Sequence, residues 1–394
     1  MEALDLARAQ FAVTTSLHFL FVVLTLGLAP LVALMQTRAV ITGREIHERM
    51  TRFWGQIYVI NYGLGIFTGL VQEFQFGLHW SGLAHYAGDV FGAPLAIETL
   101  GAFFLESTFL GLWIFGWHRL PKWAHLACIW IVTLTAYASA FWIMVANSFL
   151  QNPVGSELRG GKLVIVDFGA LVTNPNLGMA LGHTVGAGLW TASFVMIGVC
   201  AYHFIKRTAE QEFFLRSMRL AVWTGFLASL VTVGFGYAQF GVLGDTQPGK
   251  TDGVEGYLAN MMTLGNLLTV ISFLILPPLL IRGWIARRRI LLGLLILCVP
   301  LPFIASILGW LVREIGRQPW LVYNKLTVAD GVAHVSTASV TFSFIAFTTV
   351  LGLLALADYA LIIRAARRGP GDVPLGARGG PGTSASAGTP ALTL

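Results

Sequence analysis

Predominantly apolar stretches of more than eighteen residues recur along the chain, the first beginning near Ala9. A stretch of that length crosses the hydrocarbon of a bilayer as a helix, because an open strand or loop leaves backbone N–H and C=O groups unpaired where no water can reach them. Composition agrees, since 56% of the 394 residues are hydrophobic and only 11% are charged, which is a membrane balance rather than a soluble one. The segments 10–36, 54–73, 95–117, 124–148, 180–204, 218–243, 258–281, 290–312 and 338–363 read as nine spans, an all-α integral membrane bundle of nine transmembrane helices. The first has neither a basic leader nor a small-residue cleavage site and reads as a retained helix.

Nine spans place the termini on opposite sides. Eighteen of the 25 basic residues fall in the connections Arg38–Arg52, Arg119–Lys122, Lys206–Arg219, Arg282–Arg289 and Arg364–Arg378, all on one side of that arrangement. Basic loops mark the cytoplasmic side, so the N-terminus is expected outside and the C-terminus inside, as in a multi-pass protein of a bacterial cytoplasmic membrane. The net charge of +6 then faces lipid headgroups and gives no reason to expect nucleic acid. Cys128, Cys200 and Cys298 lie in apolar runs without C-x-x-C spacing, which argues against disulfides, zinc and covalently attached haem. Residues 1–368 read as one membrane domain. Residues 369–394, rich in Gly, Pro, Ser, Ala and Thr, read as a disordered cytoplasmic tail.

Within spans, an ionisable side chain costs about 2.5–3.5 kcal/mol at the helix centre, so each one present is a functional candidate. His18 lies in span 1, Glu98 and Glu106 in span 3, His183 at the start of span 5, Met262 at the start of span 7, and Glu314 just past span 8. All but Glu106 map to the outer half of the bundle. His, Met and Glu at similar depth are axial-ligand types and suggest redox metal centres near the outer surface. A single span histidine also serves as a hydrogen-bonded packing residue, and Met261 is an alternative to Met262. Glu98 and Glu106 stand eight residues apart, about 12 Å along a helix, a spacing that suits proton relay or, alternatively, hydrogen bonds to neighbouring helices. His47, His79, His85, His118, His125, His203 and His334 sit in loops or at span ends, where solvated or interfacial roles suffice.

Longer strings are more specific. They are RAQFAVTTSLHFLFVVLTLGL around His18, EFQFG at 73–77, GDVFGAPLAIETLGAFFLESTF around Glu98 and Glu106, NSFLQNPVG at 147–155 and GWLVREIGRQPW at 309–320. In this order, over about residues 5–365, the chain resembles subunit I of the cytochrome bd oxidase family. The resemblance implies that His18 and Glu314 are axial ligands of two high-spin haems, one haem b and one haem d or further haem b, without fixing which serves which. It implies a low-spin haem b between His183 and Met262, and an oxygen site and proton path at Glu98, Glu106 and Ser139. Trp310 and Arg317 would line the haem cluster, Arg317 pairing with a propionate.

The function so implied is that of the haem-carrying core of a terminal oxidase. Electrons pass from quinol or another donor through the low-spin haem to a di-haem site that reduces O2 to water, with protons taken from the cytoplasm. The implied partners are a second large membrane subunit and, as a further candidate, a small single-span subunit. Two departures stand out. Only fourteen residues, Gly244–Tyr257, replace the long outer loop that carries the family's quinol-binding Lys and Glu, leaving Lys250 and Glu255 as donor-site candidates. Asn260 stands where an arginine is expected near the low-spin haem, and a lost cation lowers that haem's potential. A non-catalytic haem electron-transfer or gas-sensing subunit is the competing reading, and the presence of Glu98, Glu106 and Glu314 favours turnover. A transporter would need inverted halves, which the sequence lacks.

Overall fold

The computed structural model describes residues 2–281, 288–371 and 373–377. Residues 378–394 of the expected tail, together with Arg282 and Arg287, lie outside the described residues. The helices are α1 (Ala3–Thr42), α2 (Glu45–Leu78), α3 (Ser81–Ile97), α4 (Phe104–Phe115), α5 (Lys122–Gln151), a short α6 (Phe168–Val172), α7 (Pro175–Lys206), α8 (Gln211–Thr246), α9 (Glu255–Val270), α10 (Arg289–Leu297), α11 (Leu301–Ile315), a short α12 (Val328–Gly331) and α13 (Thr337–Arg368).

Among the described residues, eight helical segments are long and apolar enough to cross a membrane: 3–42, 81–115, 122–151, 168–206, 211–246, 255–275, 289–315 and 337–368. The expected span at 54–73 falls inside α2, which runs for 34 residues. Its buried face carries Thr51, Asn61, Thr68, Gln72 and Gln75, so α2 is less apolar than its neighbours. The third segment starts earlier than expected, at Ser81, and passes through a π-helical turn over Glu98–Phe103 before α4. The expected continuous span at 290–312 is broken into α10 and α11 around Pro300, because proline cannot extend the hydrogen-bond ladder. Glu314 consequently lies in the last turn of α11 rather than past a helix end. His183 and Met262 likewise sit two turns inside helices that begin at Pro175 and Glu255.

α1 runs through the bundle against α2, α5, α7 and α13. Its crossing with α7 depends on glycine: a Cβ at Gly27 would lie 2.1 Å from the Gly188 carbonyl oxygen and 2.5 Å from Ala192 Cβ. Small residues at one crossing let two backbones approach closely, which is how membrane helices gain packing without a hydrophobic driving force between them.

Apolar packing divides into two clusters. One gathers Leu24–Met35 of α1, Phe53–Tyr62 of α2, Leu126–Val132 of α5 and Trp190–Ala201 of α7. The other gathers Leu6 and Ala7, Phe91, Val145–Leu150, Leu177 and Leu321–Val328. On α1, α5 and α7 the residues between the two clusters are those around His18, Ser139 and His183, so the functional candidates occupy the seam. Two short hairpins flank the second cluster. β1 (Ser156–Arg159) pairs with β2 (Lys162–Ile165) across Gly160–Gly161, both at positive φ as a two-residue hairpin turn demands, and β3 (Trp320–Val322) pairs with β4 (Leu326–Thr327).

Candidate functional site

A cavity of about 820 Å³ occupies the seam, toward the upper end of the roughly 300–1,000 Å³ usual for cofactor sites. His18, Glu98, Glu106, Ser139, His183, Lys250, Met262, Trp310, Glu314 and Arg317 all line it, as does Met261. Glu255 does not.

Both cavity histidines are oriented by their Nδ1. His183 Nδ1 lies 2.7 Å from the Thr232 carbonyl oxygen, which only accepts, so Nδ1 carries the proton and Nε2 keeps a free lone pair. His18 Nδ1 lies 2.9 Å from Thr68 Oγ1. Thr68 spends its own proton on the Leu64 and Gly65 carbonyls at 2.9 and 3.0 Å, so it too accepts from Nδ1. An imidazole fixed in this way is the arrangement metal-ligating histidines adopt. Glycines make room for both rings: a Cβ at Gly69 would stand 3.2 Å from His18 Cε1, and one at Gly236 would stand 3.0 Å from His183 Nδ1. Across the cavity, a Cβ at Gly309 would stand 2.9 Å from Met261 Sδ, so Met261 packs on α11 beside Met262 and both sulfurs stay in contention. Trp310 stacks on Phe19 with ring centroids 6.2 Å apart.

The wall at the end of α11 is dense in charge. Glu314 accepts from Asn147 Nδ2 at 2.8 Å and Gln151 Nε2 at 3.4 Å on one oxygen, and from Arg317 Nη2 at 2.7 Å on the other. Arg313 Nε donates to Asn147 Oδ1 and its Nη2 to Ser148 Oγ at 3.3 Å. Lys250 Nζ donates to Gln151 Oε1 at 2.5 Å and to the Arg313 carbonyl at 2.6 Å. Burial, then the Arg313 and Arg317 guanidiniums, push the Lys250 ammonium well below its usual pKa, against an opposing pull from Glu314. Glu255 is fully exposed, and its carboxylate accepts the Gly253 N–H at 3.1 Å.

The wall around Glu98 and Glu106 is sparser. Ser139 Oγ donates to Glu98 Oε1, while Thr99 Oγ1 lies 2.9 Å from Glu73 Oε1 and 3.2 Å from Glu98 Oε2. Glu106 is buried beside the Tyr62 hydroxyl, which also neighbours Ser107, and among the described residues none of the three groups reaches full hydrogen-bond geometry through Glu106 Oε1, Tyr62 Oη or Ser107 Oγ. In a straight α-helix eight residues turn the second acid about 80° away from the first. The π turn between Glu98 and Glu106 takes up one extra residue, which brings the offset back to about 20° and both acids onto one face.

Comparison with known proteins fits this cavity. The family model for cytochrome bd terminal oxidase subunit I matches residues 6–261 and 257–370. The chain belongs to that family. It is 38% identical to cytochrome bd ubiquinol oxidase subunit 1 of Bacillus subtilis over 94% of both chains. It is 44% identical to cytochrome bd-II ubiquinol oxidase subunit 1 of Escherichia coli over 65% of this chain and 50% of that one. The fold matches the bd oxidase of Geobacillus thermodenitrificans with a TM-score of 0.86 at 24% identity, over 93% of this chain and 99% of the other. The protein is thus a multi-pass subunit of a terminal oxidase, an oxidoreductase of respiratory electron transport from a haem-containing family.

The residues present suit haem in this bd oxidase subunit. Among the described residues, buried Arg317 has Nε and Nη1 unpartnered, and with Arg313 and Lys250 it stands against one carboxylate, that of Glu314. A buried excess of cations calls for anions, a demand that the propionates of a haem would meet. Asn147, Gln151 and Arg313 lay inside the family strings, yet nothing in the sequence shows that they converge on Glu314. Thr68 and Tyr62 carry no local sequence signal, and the Thr232 contact is through backbone. Several histidines expected at solvated positions are instead buried and satisfied. His125 lies 2.9 Å from Gln36 Nε2 and 2.7 Å from the Trp113 carbonyl, and His203 lies 2.8 Å from the Ala366 carbonyl. Asn260 faces outward, its amide donating to the Gly256 carbonyl at 2.8 Å, so it does not line the cavity.

Proposed function

We propose that this chain is the haem-carrying core of its oxidase, with a low-spin haem b between His183 and Met262, or its neighbour Met261, and two high-spin haems served by His18 and Glu314. The observation that carries the reading is convergence: two imidazoles with open Nε2, two adjacent thioether sulfurs and a cation-flanked carboxylate line one cavity. Bound haem iron supplies the one-electron chemistry and the reduction of O2. The chain supplies the ligands, the Arg317 donors for propionates, and Glu98, Glu106 and Ser139 to hold and move protons toward the oxygen site. A nine-span topology with the N-terminus outside, in a bacterial cytoplasmic membrane, makes that proton path run from the cytoplasm. The partner expected is a second large membrane subunit.

The electron donor in this reading is quinol at a site other than the usual loop, or another reductant. The irregular connection between α8 and α9 is eight residues long, 247–254, shorter than the fourteen read from sequence because both helices extend into it. The two family-model matches meet at 257–261, and the alignment with the Bacillus subtilis protein spans 443 positions against the 394 residues of this chain. Eight residues between two helices leave little chain with which to build a pocket.

Haem extraction and quantitation per chain tests the core of the proposal. Three haems are expected, and finding one or none overturns it. His183→Ala should abolish the low-spin spectrum alone and leave a ligand-binding high-spin signal. A chlorin band in the red of the reduced spectrum distinguishes haem d from a further haem b.

A further inference from the structure

We infer that Lys250 is a positioning residue for Glu314 and not a contact for the electron donor, an inference that rests on the reading of Glu314 as a haem ligand. Lys250 belongs to the α8–α9 connection, where an exposed side chain would be the ordinary outcome, yet it is only 6% exposed. Its Nζ points inward to Gln151 Oε1 at 2.5 Å and the Arg313 carbonyl at 2.6 Å. Nζ donates in both contacts, so Gln151 turns its oxygen toward Lys250 and its NH2 the other way. That NH2 meets the Arg313 carbonyl at 3.2 Å and Glu314 Oε1 at 3.4 Å. Lys250 therefore sets which end of the Gln151 amide faces the carboxylate. Without it the amide is free to flip and present an oxygen to Glu314, an acceptor facing an acceptor.

The backbone holds the same arrangement. A Cβ at Gly316 would lie 2.3 Å from the Lys250 carbonyl oxygen and 3.4 Å from Val254 Cγ2. The connection is thus seated directly on the turn that follows Glu314, and the short loop acts as a clamp on the ligand. Glu255, five residues on, has no part in it, being exposed and bonded to its own turn.

The test uses the purified oxidase complex carrying Lys250→Met, Lys250→Arg, Gln151→Leu, the Lys250→Met/Gln151→Leu double variant and, as reference, Glu314→Gln. The readouts are the high-spin and low-spin haem spectra, the midpoint potentials, and kcat and KM for a short-chain quinol and for reduced cytochrome c. Lys250→Met should lower kcat about tenfold, in the range seen for groups that orient metal ligands. It should alter the high-spin spectrum while leaving the low-spin spectrum and the donor KM within twofold. Gln151→Leu should reproduce those changes, the double variant should be no worse than either single one because both act in one chain of contacts, and Lys250→Arg should restore the spectrum. An unchanged high-spin spectrum in Lys250→Met or in Gln151→Leu, or a tenfold rise in donor KM, overturns the inference while leaving Glu314 as a ligand. An unchanged high-spin spectrum in Glu314→Gln removes the ligand reading itself, and the inference with it.

Discussion

Glu314 and Glu106 line the same cavity and meet opposite surroundings. Glu314 has donors on both oxygens, with Asn147 and Gln151 on one, Arg317 on the other, and Arg313 and Lys250 behind them. Glu106 forms no ion pair among the described residues, and the donor beside its carboxyl is the neutral Tyr62 hydroxyl, which Ser107 also approaches and which meets neither of them in full hydrogen-bond geometry. The difference separates two tasks for one side-chain type. A carboxylate with donors on both oxygens, one of them a guanidinium, keeps its position, as a ligand must. A carboxyl with only neutral hydroxyls beside it and no ion pair to break is suited to taking up and releasing a proton.

The largest expected effect comes from removing the held acid. Glu314→Ala leaves two guanidiniums and the Lys250 ammonium buried without their anion, and breaking a buried pair by deleting one partner costs about 3–5 kcal/mol. The variant should lose a high-spin haem and unfold at markedly lower denaturant, read by haem content and by chemical denaturation in detergent. Wild-type stability in the apo variant would mean that the cations are satisfied by something other than Glu314.

Next in size is Glu106→Gln. The amide keeps the volume and cannot exchange a proton, so oxygen reduction should slow by about 10²-fold, the lower end for general acid–base groups, with every haem retained. Oxygen uptake and the pyridine haemochrome spectrum measure the two halves of that statement. Unchanged turnover would return Glu106 to a packing role and erase the contrast with Glu314.

Thr68→Val sharpens the comparison on the histidine side, because it removes the acceptor that fixes His18 Nδ1–H while leaving Thr232 and His183 untouched. Loss of such an orienting partner weakens metal binding about 10–100-fold. The His18 haem should dissociate more readily or shift its spectrum, with the low-spin signal constant. Equal loss of both signals would show that Thr68 supports the bundle rather than one ring.

These contrasts were only partly open to sequence. Helical spans and their order follow from apolar length, since a membrane leaves the backbone few alternatives. His18, His183 and Glu314 were visible because ionisable groups inside spans are rare. What pairs them was not visible. Thr68 and Thr232 are ordinary helix residues in sequence, and the Thr232 contact uses its backbone carbonyl. The π turn that realigns Glu98 with Glu106 leaves no residue signature. Lys250 and Glu255 illustrate the limit best. Five residues apart in a short polar segment they read as a pair, but one turns into the charged wall and the other out to solvent, a choice made by the α8–α9 seat on Gly316 and by nothing local.

Glu255 is the third carboxyl of the comparison and carries the smallest expected effect. It is fully exposed, lies outside the cavity, and accepts one hydrogen bond from Gly253 in the turn that starts α9. A surface position of this kind contributes little to stability when truncated. Backbone hydrogen bonds hold its carboxyl below the usual range, so it is ionised throughout the neutral range and gives the enzyme no pH dependence there. Glu255→Ala should therefore leave the haem spectra, the denaturation midpoint and oxygen uptake at wild-type values, with either a short-chain quinol or reduced cytochrome c as donor. A collapse of quinol oxidation in Glu255→Ala, with cytochrome c oxidation and both haem spectra preserved, would instead put a donor site on this turn. That result would show that the eight-residue connection suffices to receive quinol, and would make Glu255 a working residue without any of the burial that marks Glu314 and Glu106.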